Sequence, residues 1–224
     1  LLQSMKGIDR VLETSSEKIP DEEFDLCISI MDLPRLFQTT LSSIPHQVPY
    51  LKAVQQDANL QKRHLNQDTL NVGIVWAGAP THGNDKNRSC NLSLFKSIAD
   101  MSGIKLYSLQ KGLASAQLDK HPDIPIQNLV LSCQDLMDTA CIMQDLDLII
   151  TVDTAMAHLA GALGKPTWTL LPFAPDWRWL LRREDTPWYP SMRLFRQDVA
   201  GDWQGVFERV QQALGQIRPG HELG

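Results

Sequence analysis

The sequence has few of the features that mark special classes of protein. Its 224 residues include four cysteines and no Cys-x-x-Cys pair, so neither a disulfide framework nor a zinc ribbon is indicated. No apolar run approaches the roughly 20 residues of a membrane helix. The 21 basic residues are fewer than the 26 acidic ones, and this excess of negative charge argues against a general nucleic-acid or anionic-membrane binder. We predict a reduced, cytoplasmic protein without a membrane span.

Several catalytic motifs are also missing. No Gly-x-Gly-x-x-Gly follows an apolar run and no P-loop spacing occurs, which weakens a dehydrogenase or nucleoside-triphosphatase interpretation. There is no Gly-x-Ser-x-Gly elbow and no His-x-x-x-His pair, so serine-hydrolase and zinc-protease chemistry have no residues to carry them. The sequence indicates neither a metal nor a resident cofactor.

The sequence does contain a regular series of short apolar runs. Hydrophobic residues make up 43% and charged residues 21%, which excludes disordered, collagen-like and coiled-coil classes. From Leu70 onward, apolar runs alternate with helix-like stretches, as in a parallel sheet with crossover helices. The predicted strands are 72–76, 104–109, 126–131, 148–152, 167–171 and 192–195, and the predicted helices are 92–101, 115–119, 134–144, 156–163 and 202–214. We predict a doubly wound α/β fold.

The first 60 residues have a different pattern. An apolar run at 24–31 predicts a buried strand, and prolines 34, 45 and 49 exclude a long helix after it. A polar stretch at 52–68 predicts a domain boundary. Since the chain opens with Leu1 and neither a start Met nor a capping residue, we expect it to be a fragment.

Ligands of a doubly wound sheet bind beyond the carboxyl ends of its strands, so residues that follow each strand are candidates. The strand at 148–152 runs directly into Asp153 and Thr154, where a helix starts. Either residue caps that helix, whose free amides and dipole suit a phosphate. His158 falls on the same helix face as Thr154, one turn further in. The alternative is an ordinary capped helix with a core histidine.

Three further polar clusters follow predicted strands. The loop 77–89 offers Lys86 and Arg88 to neutralise a diphosphate, or it is a solvated loop. Gln110 and Lys111 follow the strand at 104–109, where a plain turn explains them equally well. The segment 172–179 is so aromatic that a domain interface is favoured over a ligand contact.

Taken in order, these blocks resemble one family. Residues 75–78, 84–89, 108–112, 152–161 and 172–179 are similar to the glycosyltransferase-like domain that follows tetratricopeptide repeats in bacterial proteins. That domain is similar to the heptosyltransferases that use ADP-heptose and, more distantly, to O-linked N-acetylglucosamine transferases. The resemblance implies a GT-B fold. It assigns 1–60 to the end of an N-terminal Rossmann-like domain, 61–197 to a complete Rossmann-like donor domain and 198–224 to a helix and tail that cross back.

The resemblance also implies which residues hold a nucleotide-sugar donor. The donor diphosphate would contact Asp153, Thr154, Ala155, His158, Lys86 and Arg88, with Ala155 standing where the heptosyltransferase pattern often has Gly. The nucleotide and sugar would contact Trp76, Gly78, Asn84, Asp85, Gln110, Lys111, Asp176 and Trp177. No metal ligand is implied, and the nucleotide-diphosphate sugar is a substrate rather than a cofactor.

The implied reaction is an inverting, metal-independent glycosyl transfer. In such enzymes the catalytic base and the acceptor side lie in the first half of the N-terminal domain, so no catalytic residue is assigned in this chain. We therefore expect the chain to bind a donor and to be inactive alone. The acceptor, a glycan or a protein, stays open, and tetratricopeptide repeats are expected before residue 1. The alternatives are a non-catalytic GT-B-like protein-interaction module and another Rossmann-type enzyme, such as a nucleotide-dependent epimerase.

Overall fold

A computed structural model describes residues 1–5, 7–12, 25–54, 65 and 68–217 of the chain. Six strands form one parallel sheet in the order β3-β2-β1-β4-β5-β6. They are β1 Leu70–Val75, β2 Ile104–Ser108, β3 Ile126–Asn128, β4 Leu148–Val152, β5 Thr167–Leu171 and β6 Met192–Arg196. Every residue of β4 and β5 is buried, as expected for central strands covered on both faces. The predicted doubly wound α/β fold is confirmed.

All six predicted strands of this sheet are present, with small differences at their ends. β3 stops three residues before its predicted end at 131. There the side-chain oxygen of Asn128 accepts a hydrogen bond from the amide of Val130, at 3.1 Å, and the chain turns out of the sheet.

Seven α-helices lie in the described ranges. They are α1 Leu33–Leu36, α2 Asp85–Arg88, α3 Lys96–Ala99, α4 Gln117–Lys120, α5 Leu136–Asp145, α6 Ala155–Ala162 and α7 Trp203–Leu214. The predicted helices at 92–101 and 115–119 are each a 3₁₀ turn, Leu92–Phe95 and Leu113–Ala116, that continues into α3 or α4. The loop predicted at 77–89 contains the single turn of α2.

The sheet separates two hydrophobic cores. One core includes buried residues of α5 and α6, and the other includes residues of α7 and the turn before α3. In the second core, Phe207 of α7 meets Phe95 edge-on with ring centroids 4.8 Å apart. Helix α7 thus packs on the six-stranded sheet, and its predicted crossing toward another domain stays a prediction.

The buried strand predicted at 24–31 is wrong over its described part, residues 25–31. That segment holds no strand, and its apolar side chains are exposed, with Leu26 at 92% and Ile30 at 77%. A strand needs a hydrogen-bonded neighbour, and no described strand pairs with this segment. Residue 24 and most of the predicted boundary at 52–68 lie outside the described residues, and the assignment of 1–60 to another domain stays a prediction.

Residues 44–54 pack on the sheet domain. Ile44 and Leu51 are buried, and the backbone amides of Tyr50 and Leu51 both donate to the carbonyl oxygen of Ala162, at 3.0 and 3.2 Å. Ala162 is the last residue of α6, whose terminal carbonyls lack intrahelical partners. The segment therefore caps the carboxyl end of α6 by supplying donors to its last carbonyl group.

The amino end of α7 offers a direct test of helix capping. Asp202 accepts a hydrogen bond from the amide of Gly205 at 2.9 Å. Replacing Asp202 by alanine leaves that amide without its acceptor, so we expect the free energy of unfolding to fall by about 1 kcal/mol in urea denaturation. Asp202→Asn retains a capping oxygen and is expected to stay near the wild type. Equal losses in both variants would contradict the capping role.

Candidate functional site

The order of the strands reverses between β1 and β4. From β1 the chain crosses to β2 on one side, and from β4 it crosses to β5 on the other. The carboxyl ends of these two neighbours frame the crevice where doubly wound sheets bind ligands. The segments that follow them, 76–89 and 153–158, contain most of the predicted donor residues.

The segment after β4 starts helix α6 with a side-chain cap. The hydroxyl oxygen of Thr154 accepts from the amide of Met156 at 3.2 Å. Asp153 and Thr154 are mostly buried, whereas Ala155, the first helical residue, is exposed. The amide of Ala155 has no intrahelical acceptor, and it lies at the positive end of the helix dipole. This exposed amino end is suited to an anion.

Arg88 reaches this helix start from the loop after β1. Its Nη1 donates to the carbonyl oxygen of Asp153 at 2.9 Å, and its Nε donates to a carboxylate oxygen of Asp85 at 3.3 Å. The same Asp85 oxygen accepts from the hydroxyl of Ser89 at 2.9 Å. A Cβ atom on Gly78 would collide with the guanidinium of Arg88 and the carboxylate of Asp85. Gly78 thus leaves the space that these two side chains fill.

Unlike Arg88, Lys86 forms no hydrogen bond with the start of α6 in the described part of the chain. It is exposed and forms no ion pair within the described ranges. Beside it, the side-chain oxygen of Asn84 accepts from the amide group of Asn87 at 2.7 Å. Of the two predicted cations, Arg88 is the one that contacts the start of α6.

Gln110 joins the ends of β1 and β2. Its Oε1 accepts from the amides of Trp76 and Ala77 at 3.1 and 2.9 Å, and its Nε2 donates to the carbonyls of Ala77 and Lys111 at 3.0 and 2.9 Å. The side chain is buried and fully used by these bonds. The indole of Trp76 is also buried. For both residues, contact with a ligand stays a prediction. The structure shows the side chain of Gln110 holding the start of the loop at the crevice.

Lys111 contacts the segment that joins β3 to α5. Its ammonium group donates to the carbonyl oxygen of Cys133 at 2.6 Å. Its predicted contact with a nucleotide stays a prediction.

His158 is held by two aromatic side chains. Its Nδ1 lies 3.0 Å from the hydroxyl of Tyr189, and its ring stacks on the buried Trp179 with centroids 5.2 Å apart. Burial lowers the pKa of His158, the positive charge of Arg178 lowers it further, and Asp153 and Asp176 act in the opposite direction. The ring is therefore neutral at neutral pH.

The aromatic segment after β5 lies beside His158. Burial acts to raise the pKa of Asp176, but its hydrogen bonds with Arg178 and the charge of that residue hold the pKa below its ordinary value. The two side chains are 2.7 Å apart. Trp177 is 64% exposed, with the guanidinium of Arg178 4.8 Å from its ring centroid. The side chains of Asp176 and Trp177, both predicted to contact the donor, are thus accessible to solvent.

A separate cleft of about 550 Å³ lies between β6 and α7. Its arginines are Arg182, Arg183, Arg193, Arg196 and Arg209. Three of them form ion pairs with carboxylates. Because none of the predicted donor residues lines this cleft, we place the candidate site at the end of the sheet instead.

Two further kinds of feature are absent from the described part of the chain. No group of three or more His, Cys, Asp or Glu side chains is placed to hold a metal ion there. No described helix combines the length and apolar character that crossing a bilayer requires.

With this geometry established, the chain can be compared with known proteins. Residues 86–181 match the model of glycosyltransferase family 9 (heptosyltransferase). The matched segment contains Arg88 and α6, so the part of the chain that carries most of the candidate site is heptosyltransferase-like in sequence.

Two solved heptosyltransferases are among the similar structures. E. coli heptosyltransferase WaaC with ADP is 17% identical and has a TM-score of 0.50, covering 75% of this chain and 52% of WaaC. E. coli ADP-heptose heptosyltransferase II is 18% identical with a TM-score of 0.48, covering 80% of this chain and 57% of that enzyme. At such identities the likeness to WaaC concerns the fold, and it supports the predicted α/β class.

The curated protein FlbA of Caulobacter vibrioides is also similar. It is 26% identical over 200 residues, which is 86% of this chain and 33% of FlbA. The chain thus spans about a third of FlbA and about half of WaaC.

Two residues around this histidine are not among the predicted site residues: Tyr189, which contacts His158, and Tyr50, which lies near Tyr189. Tyr189 lies 31 positions further along the chain, in the loop between β5 and β6, and Tyr50 lies in the segment before the sheet. Neither follows a strand of the sheet directly. The sequence contains one relevant signal, Gly161, which lies three positions after His158. A glycine inside a helix indicates that another part of the chain packs closely there, and in the structure this is the ring of Tyr189.

Proposed function

We propose that the crevice between β1 and β4 binds the diphosphate of a nucleotide-sugar donor, as the donor half of a glycosyltransferase. One observation carries the proposal. The guanidinium of Arg88 meets the amino end of α6 at the point where the strand order reverses. A guanidinium and helix amides together supply the positive partners that a diphosphate requires.

These groups suit an inverting transfer without a metal. The acceptor hydroxyl attacks the anomeric carbon, the bond from that carbon to the diphosphate oxygen breaks, and the bonding electrons leave with the diphosphate. Arg88 and the amide of Ala155 would stabilise the charge that develops on the leaving group. His158 would add a hydrogen bond. The proton of the acceptor must go to a general base, which we place outside this chain.

The proposal also concerns the longer protein to which this domain would belong. We propose a cytoplasmic parent protein with tetratricopeptide repeats before this domain and a glycan or protein as acceptor. The purified chain is then expected to bind the donor without turning it over. Release of free sugar or transfer to an acceptor by this chain alone would overturn that expectation.

Calorimetric titration with ADP, UDP, GDP and CDP tests donor binding directly. We expect one nucleotide to bind saturably, and Arg88→Ala to weaken that binding at least about tenfold, because hydrogen bonds to charged groups contribute about 1.5–3 kcal/mol. Arg193→Ala is the matched control, since it removes an arginine that pairs with Glu184 in the separate cleft.

The alternatives predict different titrations. A non-catalytic interaction module predicts no binding of any of the four nucleotides to the folded chain. Equal weakening by Arg88→Ala and Arg193→Ala would refute a specific role for Arg88. If Lys86→Ala lost binding and Arg88→Ala bound normally, Lys86 would be the cationic side chain that contacts the diphosphate.

A further inference from the structure

Tyr189 packs directly on helix α6. Its side chain is 7% exposed and covers Gly161. A Cβ atom built on Gly161 would lie 2.5 Å from Cγ of the Tyr189 ring and 2.6 Å from Cδ1. Real carbon atoms do not approach so closely, so the ring occupies the place of the missing side chain. Its position along the helix is therefore fixed by packing.

From this position the hydroxyl of Tyr189 reaches His158. The oxygen lies 3.0 Å from Nδ1 of the histidine ring, which is three residues before Gly161 and on the same helix face. Tyr50 lies close enough to Tyr189 to help raise the pKa of its hydroxyl. The backbone of Tyr50 is itself bonded to Ala162, the last residue of α6. One helix thus holds the histidine and both tyrosines.

The other ring nitrogen of His158 is available to a ligand. Within the described residues, Nε2 has no hydrogen-bond partner. A neutral imidazole carries one proton, so the bond at Nδ1 decides whether Nε2 is a donor or an acceptor. Phosphate oxygens accept hydrogen bonds, and a diphosphate therefore needs the proton on Nε2.

We propose that Tyr189 is a positioning residue for His158: its hydroxyl donates to Nδ1, which keeps the proton on Nε2 and presents an N–H to the donor diphosphate. This inference rests on the proposed function of the site. It extends that site to a side chain outside the segment that matches the family model.

The protonation states of Tyr189 and His158 agree with a hydrogen bond donated by the tyrosine to the histidine. Burial raises the pKa of Tyr189, and the neighbouring Tyr50 raises it further, so the hydroxyl keeps its proton. Burial lowers the pKa of His158, so Nδ1 is free to accept. The charged groups that face the ring are Asp153, Asp176 and Arg178.

Tyr189→Phe tests the inference, because it removes the hydroxyl and keeps the ring that covers Gly161. Nitrogen-15 NMR of the histidine-labelled chain gives the tautomer of His158, with the signal assigned by its loss in His158→Gln. We expect the Nε2–H tautomer alone in the wild type and a mixture of the two tautomers in Tyr189→Phe. We expect the affinity for the nucleotide found by titration to fall about fivefold.

Tyr107→Phe is the matched control. It removes another buried tyrosine hydroxyl, whose hydrogen bond at 3.2 Å goes to Asn71, a residue that is not part of the candidate site. It is expected to leave both the tautomer and the affinity unchanged.

The outcomes separate the two proposals. A wild-type Nδ1–H tautomer, or wild-type affinity in a folded Tyr189→Phe chain, overturns the positioning role while donor binding stands. A wild-type chain that binds no nucleotide overturns the proposed function, and the part of this inference that concerns the diphosphate falls with it.

Discussion

Replacing Gln110 by leucine is expected to lower the free energy of unfolding by about 3 kcal/mol or more. The substitution keeps a side chain of similar size but leaves the amides of Trp76 and Ala77 without their acceptor. The carbonyls of Ala77 and Lys111 lose their donor as well. Each unsatisfied buried group costs about 1–3 kcal/mol, although some of these groups will find water. Urea denaturation measures the loss.

Gln127→Leu provides the comparison for this substitution. Gln127 lies in β3 and is exposed, so the same chemical change there should alter stability by no more than about 0.5 kcal/mol. If Gln110→Leu were as stable as Gln127→Leu, the four hydrogen bonds of Gln110 would not be important for the fold. A folded Gln110→Leu chain should also bind nucleotide less well, because the loop that carries Arg88 begins at Ala77.

Placing a carboxylate at position 155 is expected to abolish most nucleotide binding without unfolding the chain. Ala155 is exposed at the first position of α6, where the proposed diphosphate would lie. In Ala155→Asp the new charge repels that diphosphate, and at an effective dielectric constant near 20 the repulsion amounts to about 2 kcal/mol or more, at least about thirtyfold in affinity. Calorimetric titration measures this change.

The same substitution should stabilise the helix. An acidic residue in the first turn interacts favourably with the helix dipole, by about 0.3–1 kcal/mol. Weaker binding in a chain that melts at the same or a higher temperature therefore separates a site effect from damage to the fold. Ala155→Asn is the uncharged control of the same shape and is expected to bind nearly normally. Equal binding by the Asp and Asn variants would show that no anion lies at this helix end.

The sheet could be predicted because its strands are short apolar runs, and all of them except β5 are followed by an α-helix. Burial of β4 on both faces leaves the uninterrupted run Leu148–Val152, which is readable locally. The run at 24–31 has the same local pattern, yet Leu26 and Ile28 are exposed. Membership of a sheet depends on a neighbouring strand, and no short run of sequence contains that information.

The candidate site could be predicted only in part, for a related reason. Thr154 was identified because a helix cap is a local property of the residues that follow a strand. The bond from Arg88 to Asp153 joins residues 65 positions apart, so the sequence could not choose between Arg88 and Lys86. Gln110 followed a strand as expected, but only the fold shows that its amide turns inward to the backbone.

The close contact between Gly161 and Tyr189 also constrains how this protein can evolve. Any side chain at position 161 would displace the ring, and a smaller residue at position 189 would leave a gap over the helix. Neither position can therefore change freely while the other is kept. Among relatives that build the same helix, the two positions should vary together, and a relative with a larger residue at 161 must hold its histidine by another route.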